Sequence, residues 1–541
     1  MTTEEALLMT IETMKEAAEK QSRQMSVLLS QNAEMSQQIK ELTAQLAWFR
    51  RRYFGRSSEK HLDLDNQPSL FDAAGIEIPT DTAIVVEDEP QDESAADDNT
   101  AKKRKSVPRP RQTWDNLPVL KTIVIEPEGV DLSRYRRMGE ETTYLVEKEP
   151  GKLYRVAYVR VKYGLIDPTE PVAKGKGVII APMPLFPINK GIPGPTLLAD
   201  VLLQKYEYHM PFYRQIKQLA HLGMAGVKEA TMTGWFRQTM ELLAPLHKAL
   251  MAEILKYDYC QADESTVPVI NPEAHQADKE YVWMIRAVLG GLVAFFYKVG
   301  SRAGDVIKEQ TDKYNYKGYL QCDGWTAYPA AYKASPDVSL VNCMVHIRRS
   351  FEQALDENRK AASWFLAKIK EIYRIEHECD LAGMTPEQRK VHRNLKTRPI
   401  MVEMKNWMEK DGLCYSGKTQ IGKAVTYAYT RWDNMMKVLD DGRLLWDNNL
   451  AENEIRPITL GRKNYLFCGN HEAAGNMCII ASLLATCRNH DVNPRLYLED
   501  IIAKMPYKNK ATTEDLVELL PHKWKLQHPE AVMEKVRNLA K

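Results

Sequence analysis

Tyr257-Asp258-Tyr259-Cys260-Gln261-Ala262-Asp263-Glu264-Ser265-Thr266-Val267-Pro268-Val269-Ile270 decides how the rest of this chain is read. Its β-branched and aromatic residues predict a strand that carries Asp263. Tyr281-Val282-Trp283-Met284-Ile285-Arg286-Ala287-Val288 predicts a second strand. Gly290-Gly291 is a hairpin signal leading to a third, over residues 292–297. Residues 302–311 suit a helix. Gly318-Tyr319-Leu320-Gln321-Cys322 predicts a short buried strand that ends at Asp323-Gly324-Trp325. Val338-Ser339-Leu340-Val341-Asn342-Cys343 predicts a fifth strand, and His346-Ile347-Arg348-Arg349-Ser350-Phe351 opens a helix.

Three strands, a helix, a strand, a helical connection and a further strand is the order of an RNase H-like α/β fold. In that order the first and fourth strands are neighbours, so Asp263 and Asp323 are expected side by side. Two close carboxylates repel, and a cation relieves the repulsion. Hard oxygen donors suit Mg²⁺ or Mn²⁺ rather than zinc, and two such ions support in-line phosphoryl displacement. Either aspartate alone reads equally well as a turn or cap residue.

The third acid comes from Asp447-Asn448-Asn449-Leu450-Ala451-Glu452-Asn453-Glu454-Ile455-Arg456-Pro457, followed by Gly461-Arg462-Lys463-Asn464. Asn448 and Asn449 stand where helix caps belong, and Glu452 falls in the first turn. Arg456, Arg462 and Lys463 follow closely and are candidates for phosphate contact, with Arg348 and Arg349 behind them. Glu452 could instead pair with Arg456 at i,i+4. A long interval separates it from Asp323. Residues 354–372, 376–380, 402–410 and 424–439 fit helices there, so residues 351–440 read as a helical insertion. Its Lys360, Lys368, Lys370, Lys390, Arg393, Lys396 and Arg398 suit either a DNA-facing or a solvated surface.

Upstream, Ile11, Met14, Ala18, Gln21, Met25, Leu28, Asn32, Met35, Ile39, Leu42, Leu46 and Phe49 keep heptad spacing. That predicts a coiled-coil helix over residues 1–56 and pairing of chains, with Asn32 at an a position. Arg51, Arg52 and Arg56 interleave with aromatics at its end. They suit a phosphate backbone or, equally, a helix C-terminus. Residues 57–112 alternate acidic and basic blocks and read as a disordered linker. Residues 113–190 read as a small β-rich module, and residues 191–256 as helical with a helix-turn-helix-like pair. The core is expected over residues 257–350 and 441–490, with a C-terminal helical module over residues 491–541.

The 541-residue chain is 44% hydrophobic and 27% charged, which suits several globular domains. Its net charge of +2 does not by itself announce nucleic acid. No apolar run is long enough to span a membrane, and the acidic N-terminus does not look like a secretory signal. The eight cysteines, all from Cys260 onward, read as reduced thiols of the cytoplasm.

Taken together, the chain resembles the large transposase of the IS66 family of bacterial insertion sequences. The resemblance rests on the heptads with Phe54-Gly55-Arg56-Ser57-Ser58-Glu59-Lys60, on Ala262-Asp263-Glu264-Ser265, and on Leu320-Gln321-Cys322-Asp323-Gly324. It rests further on His346 to Phe351, on the Asp447 to Asn464 stretch with Leu466-Phe467, and on the tail from Tyr497 to Pro521. It implies a DDE transposase with Asp263, Asp323 and Glu452 as catalytic metal ligands, cutting and joining the terminal repeats of a mobile element to target DNA. It also implies small accessory proteins. Relatives usually carry a cysteine-rich zinc module after the N-terminal helix; residues 1–259 here hold no cysteine, so no zinc is expected. Two other readings use the same residues. One is a transposase-derived DNA-binding regulator without catalysis. The other is an RNase H-like nuclease that cuts structured DNA without joining.

Overall fold

The computed structural model describes residues 117–533, apart from 130–131, 150, 167–177, 190, 272, 274–275 and 301–303. The expected coiled coil, the linker and Arg51, Arg52 and Arg56 lie outside the described residues.

A first, small sheet comes from β1 (Val119–Ile125), β2 (Tyr135–Glu149), β3 (Lys152–Leu165) and β4 (Val178–Ile180). Antiparallel β2–β3 is its backbone, β1 runs parallel to β3, and β4 extends the same side of β3. Three helices follow: α1 (Pro195–Tyr206), α2 (Phe212–His221) and α3 (Glu229–Ile254). α1 is buried along most of its length. Asp200 on α1 pairs with Lys148 of β2 and with Arg495, tying the small sheet to the C-terminal helices.

The central sheet has five strands: β5 (Tyr259–Asn271), β6 (Gln276–Ala287), β7 (Val293–Tyr297), β8 (Gly318–Cys322) and β9 (Val338–Asn342). Their spatial order is β7-β6-β5-β8-β9. β5, β6 and β7 pair antiparallel, and β5, β8 and β9 pair parallel. The parallel step needs a crossover, which α4 (Asp305–Lys313) supplies before β8. α5 (Ala327–Tyr332) links β8 to β9, and α6 (Met344–Gln353) follows β9. Gly318 opens β8 at φ +134°, where a Cβ would lie 2.1 Å from the Asp258 carbonyl oxygen. Only glycine lets β8 start this close to β5.

The expected insertion is helical: α7 (Arg359–Leu381), α8 (Pro386–His392), a π-helical turn (Arg393–Thr397), α9 (Arg398–Lys410), α10 (Gln420–Tyr429) and α11 (Trp432–Met436). Two sequence expectations differ from this. One continuous α7 replaces two shorter helices, because Ile372, Ile375 and Cys379 continue a single buried stripe. The helix expected over 424–439 breaks after Tyr429, where the Thr430 hydroxyl bonds back to the Thr426 carbonyl oxygen. These helices build their own core around Phe365, Trp432 and Met404, joined to the sheet through Tyr259 and Val341.

The chain then returns through α12 (Asn449–Tyr465) and α13 (His471–Asn489), and closes with α14 (Pro494–Lys504), α15 (Thr513–Val517) and α16 (Pro521–Gln527). Among the described residues no helix is long and apolar enough to cross a membrane.

Arg393, offered by its sequence context as a surface cation, is fully buried. It holds Glu376 with two hydrogen bonds of 2.9 and 2.7 Å and donates to the Val438, Asp441 and Leu444 carbonyl oxygens. Burial alone would raise the Glu376 carboxyl. Hydrogen bonds from Arg393, Arg389 and Trp446 instead hold it below its ordinary value of 4.5. Removing one partner strands a buried charge, so Arg393→Met should cost about 3–5 kcal/mol. The expected signs are a lower apparent melting temperature and early proteolysis within 351–440. Because the folded-state value is depressed, the carboxylate's contribution is complete above the unfolded value and is lost as pH falls through the folded one. Acid should therefore loosen the wild-type insertion, and the Glu376→Gln protein should lack this acid-dependent step.

Candidate active site

β5 and β8 pair in parallel with Tyr259 opposite Tyr319, Cys260 opposite Leu320 and Gln261 opposite Gln321. Two residues further along each strand, the same register sets Asp263 level with Asp323. Asp263 lies within β5, just past the end of its pairing with β8, and Asp323 just after β8; both are half-buried. Asp263 accepts from the Glu264 amide at 2.9 Å, and Asp323 from the Trp325 amide at 2.8 Å. The neighbouring side chains register the negative charge. Burial, then Asp323, Glu264 and Asp263, push the Cys322 thiol well above its ordinary value. Burial, then Glu264, Cys322, Asp323 and Asp263, do the same to the Tyr328 hydroxyl, which donates to Glu264 at 3.2 Å.

Glu452 reaches this end through a buried polar latch. Gln261 and Gln321 are both fully buried, and Gln261 donates to Gln321 at 2.8 Å. Gln261 Nε2 also donates to the Asp447 carbonyl oxygen at 3.0 Å, and Gln321 Nε2 to that of Leu445 at 2.7 Å. Tyr259 donates to Gln321 at 2.6 Å and accepts from the Leu445 amide at 3.0 Å. The Ala451 amide donates to Gln261 Oε1 at 3.2 Å. The returning chain is thus stitched to β5 and β8 immediately before Glu452, which is only 8% exposed.

Asn448 sits at the N-cap of α12, but its side chain does not cap the helix. Its amide nitrogen donates instead to the Ala262 carbonyl oxygen at 3.1 Å, one residue before Asp263. A buried strand carbonyl needs a donor, and here that need outweighs capping. Asp447 takes over locally, accepting from the Asn449 amide at 3.1 Å.

His346 lies near the start of α6, in the helix start that the sequence predicts. Its Nε2 lies 3.8 Å from Glu452 Oε1, within ion-pair distance. Cys343, His346 and Glu452 each present a ligand-capable atom within 4.8 Å of the others. The signal available in the sequence was the Cys-x-x-His spacing, which puts both side chains at the first turn of one helix. Burial pushes the Cys343 thiol up to about 11, and its sulfur accepts from the Asn448 amide at 3.3 Å.

The insertion reaches back to the other acid. Tyr427 donates to the Asp323 carbonyl oxygen at 2.7 Å, and Arg431 Nε to that of Gly324 at 2.7 Å. The Arg431 guanidinium lies 3.7 Å over the Tyr427 ring. Gly324 has φ +89°, and a Cβ there would meet Arg431 Nε at 2.6 Å.

The basic candidates separate by environment. Arg456 and Lys463 are exposed. Arg462 is half-buried and donates to the Thr266 carbonyl oxygen and to its hydroxyl, fastening α12 to β5. Arg348 is exposed and pairs with Glu352 at 2.6 Å, while Arg349 is half-buried. In the insertion, Lys368, Lys396 and Arg398 pair with Glu403, Glu378 and Asp440.

Comparison with known proteins sets this arrangement in a class. A family described as "Transposase IS66 family" matches residues 190–476, which include both aspartates, the insertion and Glu452. "Transposase C of IS166 homeodomain" matches residues 41–120, and "IS66 C-terminal element" residues 482–522. The chain belongs to the IS66 transposase family. Similar curated proteins come from Sinorhizobium fredii (strain NBRC 101917 / NGR234). The uncharacterized protein y4hP is 25% identical over 92% of this chain and 90% of its own. The uncharacterized protein y4jD is 25% identical over 91% and 96%. The uncharacterized protein y4qI is 28% identical over 74% and 76%.

Gln321→Leu should leave the Leu445 carbonyl, the Tyr259 hydroxyl and one of the Gln261 N–H groups without their partner, at about 1–3 kcal/mol. Thermal unfolding should register that loss, and backbone hydrogen exchange should rise first in residues 443–452. Tyr427→Phe removes only the bond to Asp323; the expected result is a folded protein whose DNA affinity is kept while its processing rate falls.

Proposed function

We propose that this transposase cuts and joins DNA at the end of the central sheet, and that the sheet with its crossovers is an RNase H-like core. What supports the reading is that Asp263 and Asp323 each follow the last β5–β8 pair by two residues, and that the chain leading to Glu452 is stitched to those strands by the Gln261–Gln321 latch. Three carboxylates here would form an oxygen donor set of the kind that suits Mg²⁺ or Mn²⁺. Bound there, two such ions would acidify a water or hydroxyl and neutralise charge on the phosphate.

The chain's own residues do the rest. Asp263 of β5 and Asp323, just after β8, would hold one side of the donor set. Glu452 closes it from α12, with His346 fixing the orientation of its carboxylate. Tyr427 and Arg431 keep the Asp323–Gly324 backbone from shifting. Arg456 and Lys463 meet the phosphates of the strand being cut. Water oxygen bonds to the phosphorus at the element's end as the P–O3′ bond breaks, freeing a 3′-hydroxyl. That hydroxyl then bonds to a target phosphorus as the target P–O bond breaks. Two ends must be held at once, which a pairing of chains through the heptads of residues 1–56 would provide. The β-rich module, the helices of 191–256 and the C-terminal helices then serve to grip DNA and brace the core.

Asp263→Asn, Asp323→Asn and Glu452→Gln should each lower cleavage of element-end DNA in Mg²⁺ by at least about a thousandfold while DNA binding persists. Normal cleavage by any folded member of the three sinks the proposal. Joined products from the wild-type chain, rather than nicks alone, separate a transposase from a resolving nuclease.

A further inference from the structure

The stretch Leu466-Phe467, at the end of the α12 motif, takes no part in the acidic site. It lines a cavity of about 520 Å³ between the C-terminal end of α12 and the helices α1–α3. That volume lies in the roughly 300–1,000 Å³ range of small-ligand sites. Leu466 has φ +64°, a left-handed backbone that a bulky residue rarely adopts. The strain is held by the next residues: the Cys468 amide donates to the Pro268 carbonyl oxygen at 2.8 Å, and the Ile270 amide to that of Cys468 at 2.9 Å. Its effect is to present Phe467, 46% exposed, at the cavity wall. Strain of this kind collects at binding sites.

Tyr213, also 46% exposed, lines the same cavity. Lys205 of α1 lines it too. Among the described residues its partners are ring faces: Phe212 at 3.8 Å from the centroid, Tyr465 at 5.5 Å, Tyr206 at 5.7 Å and Phe236 at 5.9 Å. No carboxylate pairs with it among the described residues, although Glu229 lines the same cavity. Burial pushes its ammonium down to about 8, against a small opposing effect of Cys468 and Glu229. Aromatic walls around one sheltered cation match the two halves of a nucleotide: a base to stack and a phosphate to pair. A duplex is too wide to enter.

The cavity also lies in line with the acids. From Glu452 to Tyr465 along α12 is about 20 Å at 1.5 Å per residue. From Asp263 to Val269, which bridges to Cys468, is again about 20 Å along β5. That spans roughly six nucleotides at 3.4 Å per step of one strand.

We propose that this cavity takes one unpaired nucleotide of the DNA strand that leaves the acidic site, with its phosphate on Lys205 and its base against Phe467 and Tyr213. The proposal rests on the transposase reading for its ligand but not on catalysis. Its test is therefore binding, measured by fluorescence anisotropy of the full chain in a metal chelator. The probes are a twelve-residue oligothymidylate and a blunt duplex of the same length. Phe467→Ala, Tyr213→Ala and Lys205→Met should each weaken single-strand binding about five- to 150-fold and leave duplex binding within about twofold. Both substituted rings are half exposed, so these variants should keep their wild-type melting temperature. An oligonucleotide carrying 5-iodouracil should crosslink to Phe467 or Tyr213. Unchanged single-strand affinity in all three variants, as expected if the cavity takes a protein side chain, overturns the proposal. So does a crosslink that maps only elsewhere. The two readings fail separately: normal cleavage by Glu452→Gln would remove the catalytic reading and leave these binding outcomes standing.

Discussion

Two glutamine side chains, Gln261 and Gln321, bind each other in the middle of the central sheet with no access to solvent. A buried amide is costly unless its donors and acceptor are met. Most of what meets these two is supplied by the backbone of residues 445–451. The sheet therefore carries a demand that the returning chain largely satisfies, and meeting it brings the start of α12 back against β5. Apolar residues at 261 and 321 would pack as well but would accept any apolar return. The amides, with Tyr259, accept one register.

That demand explains how an insertion of this length is tolerated. Closing a loop costs entropy that grows only slowly with its length. What matters is that both ends are fixed and that the loop has a core of its own. Arg393 and Glu376 organise that core, and the same guanidinium binds the Leu444 carbonyl oxygen at the insertion's exit. One buried cation thus links insertion stability to the approach of α12. The insertion then returns a contact through Tyr427 and Arg431 to the loop that carries Asp323. It lies between two acids in sequence and braces both in space.

The central sheet was largely legible because its strands are apolar runs bounded by glycine, proline or charge, and the order of elements dictates the neighbours. The acids were legible as residues. The stitching of the returning chain to β5 and β8 was not, because it depends on side chains whose partners are remote in sequence. Gln261, Gln321 and Asn448 look like any polar residues until Ala262, Leu445 and Asp447 are placed beside them. Arg393 misleads for a related reason: a charged helix reads as surface, and nothing local reveals that Glu376 and three carbonyls await it. His346 was visible in a quoted motif, yet its spacing from Cys343 gains meaning only when Glu452 arrives. The heptads, strongly patterned as they are, fall outside the described residues.

α12 also has to be fixed in rotation, since a turn of a few tens of degrees would swing Glu452 away from His346. At about 100° per residue, Glu454 points roughly opposite to Glu452. It is buried there, paired with Arg286 of β6 and accepting from Asn489 at 2.9 Å. Arg462 lies about 80° from Glu452 around the helix and is fastened to Thr266. Arg456 and Lys463 fall within about 40° of Glu452 and are exposed. The charged residues of α12 therefore divide by angle. Those on the inward arc make ion pairs and hydrogen bonds that lock the helix, and those that share the direction of Glu452 remain available to phosphate. The cluster reads in sequence as one undifferentiated basic stretch, and helical geometry assigns its members to two different tasks.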